Sequence, residues 1–131
     1  MMYGFEYLGN SLEILRYRYF EEEAARGNPY NSQFYVKIVS NGFAGIAECE
    51  YDRKEWDEFI HRLELLNDFK VEKVVFNDIC YGSEISFVMD DIGHITVSGF
   101  IYGPCMIQTL QFKFDADQTI LTPFINALKK L

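Results

Sequence analysis

The sequence predicts an α+β fold: a curved, mainly antiparallel sheet of about seven to eight strands, with two helices near 53–67 and 123–130 packed on it. Three observations predict it. Aromatic residues make up 17 % of the chain, with 12 Phe, 9 Tyr and 1 Trp, and such side chains favour pleated surfaces. Several runs alternate apolar and polar residues and stop at Gly-, Asn- or Asp-bearing breaks, as hairpin-linked strands do. Only two stretches carry apolar residues at helical spacing. At 131 residues the chain reads as one domain, 1–131, long enough to bury a core without metal or disulfide.

The elements follow in order. Met2–Leu8 and Ser11–Phe20 flank Gly9-Asn10, a two-residue hairpin signal. In the second run Leu15, Tyr17 and Tyr19 share one face, and Arg16 and Arg18 the other. Glu21, Glu22 and Glu23, with the Gly-, Pro- and Asn-bearing stretch to Ser32, read as a surface loop. Gln33–Ser40 and Phe43–Tyr51 surround Asn41-Gly42, a strong hairpin dipeptide. Asp52 is expected to cap the first helix, with Glu55 completing a capping box. Trp56, Phe59, Ile60, Leu63 and Leu66 then form its buried stripe.

Four strand-like runs come next: Val71–Asn77, Glu84–Asp90, His94–Tyr102 and Met106–Phe114. The breaks at Tyr81-Gly82, Asp91-Ile92-Gly93 and Gly103-Pro104 are short, so these strands should form an antiparallel meander. In the last helix Thr122 is the expected N-cap and Pro123 the first helical residue. Phe124, Leu128 and Leu131 share a face, and Lys129 and Lys130 sit at the favourable end of the helix dipole. No internal repeat is visible.

Twelve basic against 20 acidic side chains give a net charge of −8 and a pI near 4.7. Such a surface repels nucleic acid and anionic membranes, and its natural complement is a basic protein partner. No apolar run approaches the length needed to span a bilayer, and the stretch before Arg16 lacks the basic start of a signal peptide. Cys49, Cys80 and Cys105 form no C-x-x-C pair, so free thiols in a reduced, cytoplasmic protein are expected.

The chemistry-bearing residues are few. His61 lies on the polar face of the first helix. His94 opens a strand beside Asp90 and Asp91, where a histidine can act as base or ligand but more simply closes a turn. The carboxylates Asp78, Glu84, Asp90, Asp91, Asp115 and Asp117 match neither a calcium loop nor a zinc-helix spacing. No phosphate loop, nucleophile elbow or dinucleotide fingerprint occurs. The reading is of a protein that is not an enzyme and needs no cofactor or metal. The alternative is a small-ligand-binding or catalytic α+β domain, with Tyr17, Tyr19, Tyr35 and Tyr51 lining a cavity and His94 supplying chemistry.

One longer pattern is more specific. Gly82-Ser83-x-Ile85-x-Phe87-x-x-Asp90-x-x-Gly93-His94-Ile95-x-Val97-x-Gly99 continues as Gln108-x-Leu110-x-Phe112-x-Phe114-x-Ala116-Asp117-Gln118-Thr119-x-Leu121-x-x-Phe124-x-x-x-Leu128. Together with Ser40-Asn41-Gly42-Phe43-x-Gly45 and the helix Trp56–Leu66, it resembles the WapI-type immunity protein family. The resemblance implies a small bacterial protein that neutralises the C-terminal toxin domain of a cognate polymorphic toxin, wall-associated or contact-dependent. For the name-giving member that domain is a nuclease acting on tRNA, and such tips vary between lineages. The signature residues describe the scaffold; Gly99, for example, marks a bulge or a close backbone approach. Specificity belongs on exposed, variable acidic places: Glu21, Glu22 and Glu23 with their loop, and the hairpin ends at Asp78, Glu84, Asp90 and Asp91.

Overall fold

A computed structural model describes residues 2–131; Met1, the first residue of the sequence, lies outside them. The order is β1 (Tyr3–Tyr7), β2 (Asn10–Tyr19), α1 (Glu21–Ala25), β3 (Ser32–Ser40), β4 (Phe43–Tyr51) and α2 (Arg53–Asn67). It continues with β5 (Lys73–Asn77), β6 (Glu84–Met89), β7 (His94–Tyr102), β8 (Thr109–Asp117) and α3 (Leu121–Leu128). The expected α+β class, antiparallel pairing and two main helices are present. The eight strands are divided: β1-β2-β3-β4 form one four-stranded sheet and β5-β6-β7-β8 another. Each sheet is a meander followed by a helix, and each helix leans on the first strand of the other half, α2 on β5 and α3 on β1.

Both sheets turn their apolar faces toward one shared core. Phe34, Val36 and Ile38 of β3 point inward, as do Ile85, Phe87 and Met89, and Ile95 and Val97, from β6 and β7. The stripe Trp56, Phe59, Ile60, Leu63 and Leu66 of α2 closes over them with Phe124 and Leu128 of α3. Each such side chain, fully buried, contributes about 1.5–3 kcal/mol. Phe124 stands edge-on to Phe5 with ring centroids 5.1 Å apart and lies 6.1 Å from Phe87, so one ring ties the two halves. Trp56 meets Phe34 edge-on at 5.3 Å on the other side of the core.

Several local expectations shift. The first hairpin turns at Leu8-Gly9, with φ of 51° and 82°, while Asn10 pairs with Tyr7. The Asn10 side chain is needed elsewhere: its Oδ1 accepts from the Asn41 amide at 2.8 Å. The acidic loop contains the five-residue helix α1. Strand β8 runs Thr109–Asp117 because the preceding residues form a tight turn, closed by the Gly103 amide donating to the Gln108 carbonyl at 2.8 Å. Thr122 is inside α3, because a 3-10 turn, Gln118–Ile120, capped by Asp117 Oδ1 accepting from Thr119 N, begins the helix earlier. Gly99 is a close approach, as read: a Cβ there would overlap the Glu84 carbonyl oxygen. Asp52 caps α2, accepting from Lys54 N at 3.1 Å. Among the described residues no helix is long and apolar enough to cross a membrane.

Candidate functional site

The acidic residues singled out in the sequence fall into four different environments. Glu21 and Glu22 are exposed on α1, whose loop is closed by the Phe20 amide donating to the Asn31 carbonyl at 2.7 Å. Glu23 is occupied internally, accepting from Asn28 Nδ2 at 2.9 Å and pairing with Arg26 at 3.4 Å. Beneath them Asn31, only 2 % exposed, donates to the Asn28 carbonyl and to Asp52, and accepts from the Arg53 amide at 2.8 Å. Arg53 in turn donates to the Tyr17 hydroxyl at 2.9 Å and the Leu131 carbonyl at 3.0 Å. This knot fastens the acidic loop, the start of α2 and residue 131 together. The groove beside it is lined by Glu21, Asp52 and Asp57 but also by Arg53 and Lys54, so its charge is mixed.

Asp78 corrects the expectation of a uniformly exposed acidic set. It is 3 % exposed, and its carboxylate accepts from the amides of Glu50 at 2.7 Å, Cys80 at 2.9 Å and Tyr81 at 2.9 Å. Three N–H donors stabilise the buried anion, and the bond to Glu50 locks the β5–β6 connection onto β4 of the other sheet. Asp78 is a scaffold residue without a contact face. Glu84 is half-buried at the start of β6, between Asn77 and Phe100.

Asp90 and Asp91 form the exposed tip of the β6–β7 hairpin. Asp90 Oδ1 accepts from the amides of Ile92 at 3.0 Å and His94 at 2.9 Å, which shapes the turn. This tip lies beyond the C-terminal end of α2, whereas Glu21 lies at its N-terminal end. Fifteen helical residues at about 1.5 Å each separate them by roughly 22 Å. The two acidic places are thus distinct surfaces.

The alternative ligand-binding arrangement is dispersed. Tyr51 is buried, Tyr17 stacks on Phe34 at 5.8 Å, Tyr35 faces Arg16 and Tyr19 is exposed, so the four are spread between the core, a sheet face and the surface. The interior void lined by Leu12, Trp56, Phe87 and Phe124 is only about 10 Å3, too small for a ligand beyond one water. His94 Nε2 lies 3.3 Å from Asp115, with both side chains more than half exposed to water. Among the described residues no group of three or more His, Cys, Asp and Glu could hold a metal ion. All three cysteines are unpaired. Burial raises the Cys49 thiol well above its ordinary value, and burial with Glu50 and Asp78 nearby pushes Cys80 up to about 12.

The model of the immunity protein WapI-like family matches residues 8–131. The chain belongs to the immunity protein WapI-like family. The match takes in β2 to α3 of this WapI-like protein and leaves out β1, so it includes most of the first half, where the sequence signature is sparse. Among solved structures, a chain from the crystal structures of Trypanosoma brucei MRP1/MRP2 is similar, with a TM-score of 0.55 and 11 % identity over 99 % of this chain and 83 % of that one. At that identity the likeness concerns the fold alone. Comparison with curated proteins returns no match.

Sequence reasoning missed Phe69, Glu72 and Ile92, which surround Asp90 and Asp91, and the Asn31–Arg53 knot. Phe69 had a faint signal: it follows Asn67-Asp68 at the helix end and takes φ 57°, in the αL region where Gly or Asn is usual.

Proposed function

We propose that this WapI-like chain is a cytoplasmic immunity protein of one domain that binds the C-terminal toxin domain of a cognate polymorphic toxin and blocks it by occlusion, without catalysis. The family match over residues 8–131 carries the reading. The net charge of −8 supports a basic partner, a nuclease tip being one such class, because opposite fields steer encounter. Occlusion needs a rigid scaffold with charged edges, for which the exposed Glu21, Glu22, Asp90 and Asp91 and the half-buried Glu84 are the candidates. Asp78 has no place in that surface.

Affinity capture with the tagged chain from its bacterial host, at low and high salt, tests the reading. Recovery of a large secreted or wall-associated protein through its C-terminal tip, weaker at high salt, is the expected result. Absence of such a protein from cells that express the toxin contradicts it.

A further inference from the structure

Phe69, Val71 and Met89 wall an open cleft of about 540 Å3 between the end of α2 and the β6–β7 hairpin, and Glu72, Asp90 and Asp91 complete its lining. Two large apolar side chains stand in water here: Phe69 is 50 % exposed and Ile92, at the hairpin tip, 85 %. Apolar exposure of this kind beside a concave surface marks interaction sites. Neither residue belongs to the continuous hydrophobic core.

Three hydrogen bonds fix the elements around the cleft. The Met89 amide donates to the Glu72 carbonyl at 2.9 Å, joining the two walls. Gln118 donates from its amide to the Gly93 carbonyl at 2.9 Å and from Nε2 to the Asn67 carbonyl at 2.8 Å, bracing the hairpin against the helix end. A preformed cleft binds with little ordering cost. Its charge selects the occupant. Segments 68–73 and 90–92 carry Asp68, Glu72, Asp90 and Asp91 against Lys70 and Lys73, and none of the four carboxylates forms an ion pair among the described residues. A cationic side chain with an apolar stem fits both the walls and the rim. Arginine fits best, because its planar guanidinium stacks on an aromatic ring while its N–H groups reach carboxylates in pairs.

We infer that this cleft receives an arginine side chain from an exposed basic segment of the partner protein, with Phe69 and Ile92 packing on apolar residues beside it. The inference rests on the immunity reading for the partner's identity, but the cleft's chemistry is testable alone. The probe is a hexa-arginine peptide, titrated into the 15N-labelled full chain and compared with hexaglutamate. The expected result is the largest amide shifts at residues 69–72 and 89–93, with none from hexaglutamate and a substantial loss in Glu72→Gln/Asp91→Asn. Both positions are exposed, and thermal unfolding of the variant confirms that it folds. Shifts no larger there than at Glu21 and Glu22, or unchanged in the variant, overturn the inference.

Capture of the toxin tip separates the two readings. A tip held by the wild-type chain and on the order of tenfold less tightly by Glu72→Lys/Asp91→Lys supports the cleft. Equal capture by both overturns the cleft and leaves immunity standing. Capture by neither overturns immunity, and the peptide titration still decides the cleft. Self-association of the wild-type chain that Phe69→Ser abolishes makes a second copy the occupant, and that too overturns the inference.

Discussion

The two halves of the molecule repeat one plan, four antiparallel strands and then a helix, yet treat their acidic loops in opposite ways. In the first half the loop after β2 is drawn inward: Glu23 is satisfied by Asn28 and Arg26, and Asn31 and Arg53 bind the loop to the core. In the second half the β6–β7 tip is shaped by Asp90 but leaves Asp91, Glu72 and Ile92 facing water. The same architecture therefore ties the first acidic loop to the core through Glu23 and Asn31, leaving only Glu21 and Glu22 exposed, and leaves the second tip largely in water. Net charge is a property of the whole chain, and only the hydrogen-bond partners of each carboxylate say which charges remain free to meet a partner.

Substitutions can break the comparison in descending order of effect. Phe124→Ala removes the ring shared by Phe5 and Phe87 and should cost about 3–5 kcal/mol. Because that ring joins both halves, denaturant unfolding followed by Trp56 fluorescence and by far-UV circular dichroism should stay coincident in the wild type. Separate transitions would mean that the halves are independent. Asp78→Ala leaves three amides without their acceptor and should cost on the order of 3 kcal/mol, read from the same unfolding curves. Asn31→Ala, which frees the first-half loop, should cost about 1–3 kcal/mol and raise hydrogen exchange at residues 20–31 specifically. Asp91→Lys in the second half should change stability by no more than about 0.5 kcal/mol, since its side chain is exposed and forms no ion pair among the described residues.

A pH series sharpens the account of the scaffold. The Cys80 thiol titrates in the folded protein at about 12, above its unfolded value, so the folded state holds its proton longer. That contribution is fully present below the ordinary thiol range and is lost as pH rises through the folded value. Stability should therefore decline on the alkaline side, and less so in Cys80→Ser. A thiol reagent at mildly alkaline pH should label the exposed Cys105 well before Cys80 and the buried Cys49.

Much of the scaffold was legible because period and turn chemistry are local. The stripe from Trp56 to Leu66 and the Asn41-Gly42 turn are where the sequence places them. The division into two sheets was not legible, since the halves share topology without sharing residues. Leu8 in the αL region was hidden for another reason: Asn10, the residue that suits a turn, is held by the Asn41 amide in a neighbouring hairpin. The candidate surface was half legible. Asp90 and Asp91 announce themselves as a charged hairpin end, but Asp78 looks the same in sequence, and only the three amides around it reveal a buried role. Phe69 and Glu72 join the cleft through the return of the chain after α2, a tertiary fact with no local mark.

Growth of cells expressing the captured toxin tip, with and without this chain, tests the central claim most directly. Arrest by the tip alone and restored growth when the chain is co-expressed are the expected results. A tip that stays toxic while the chain is bound to it would contradict inhibition by occlusion.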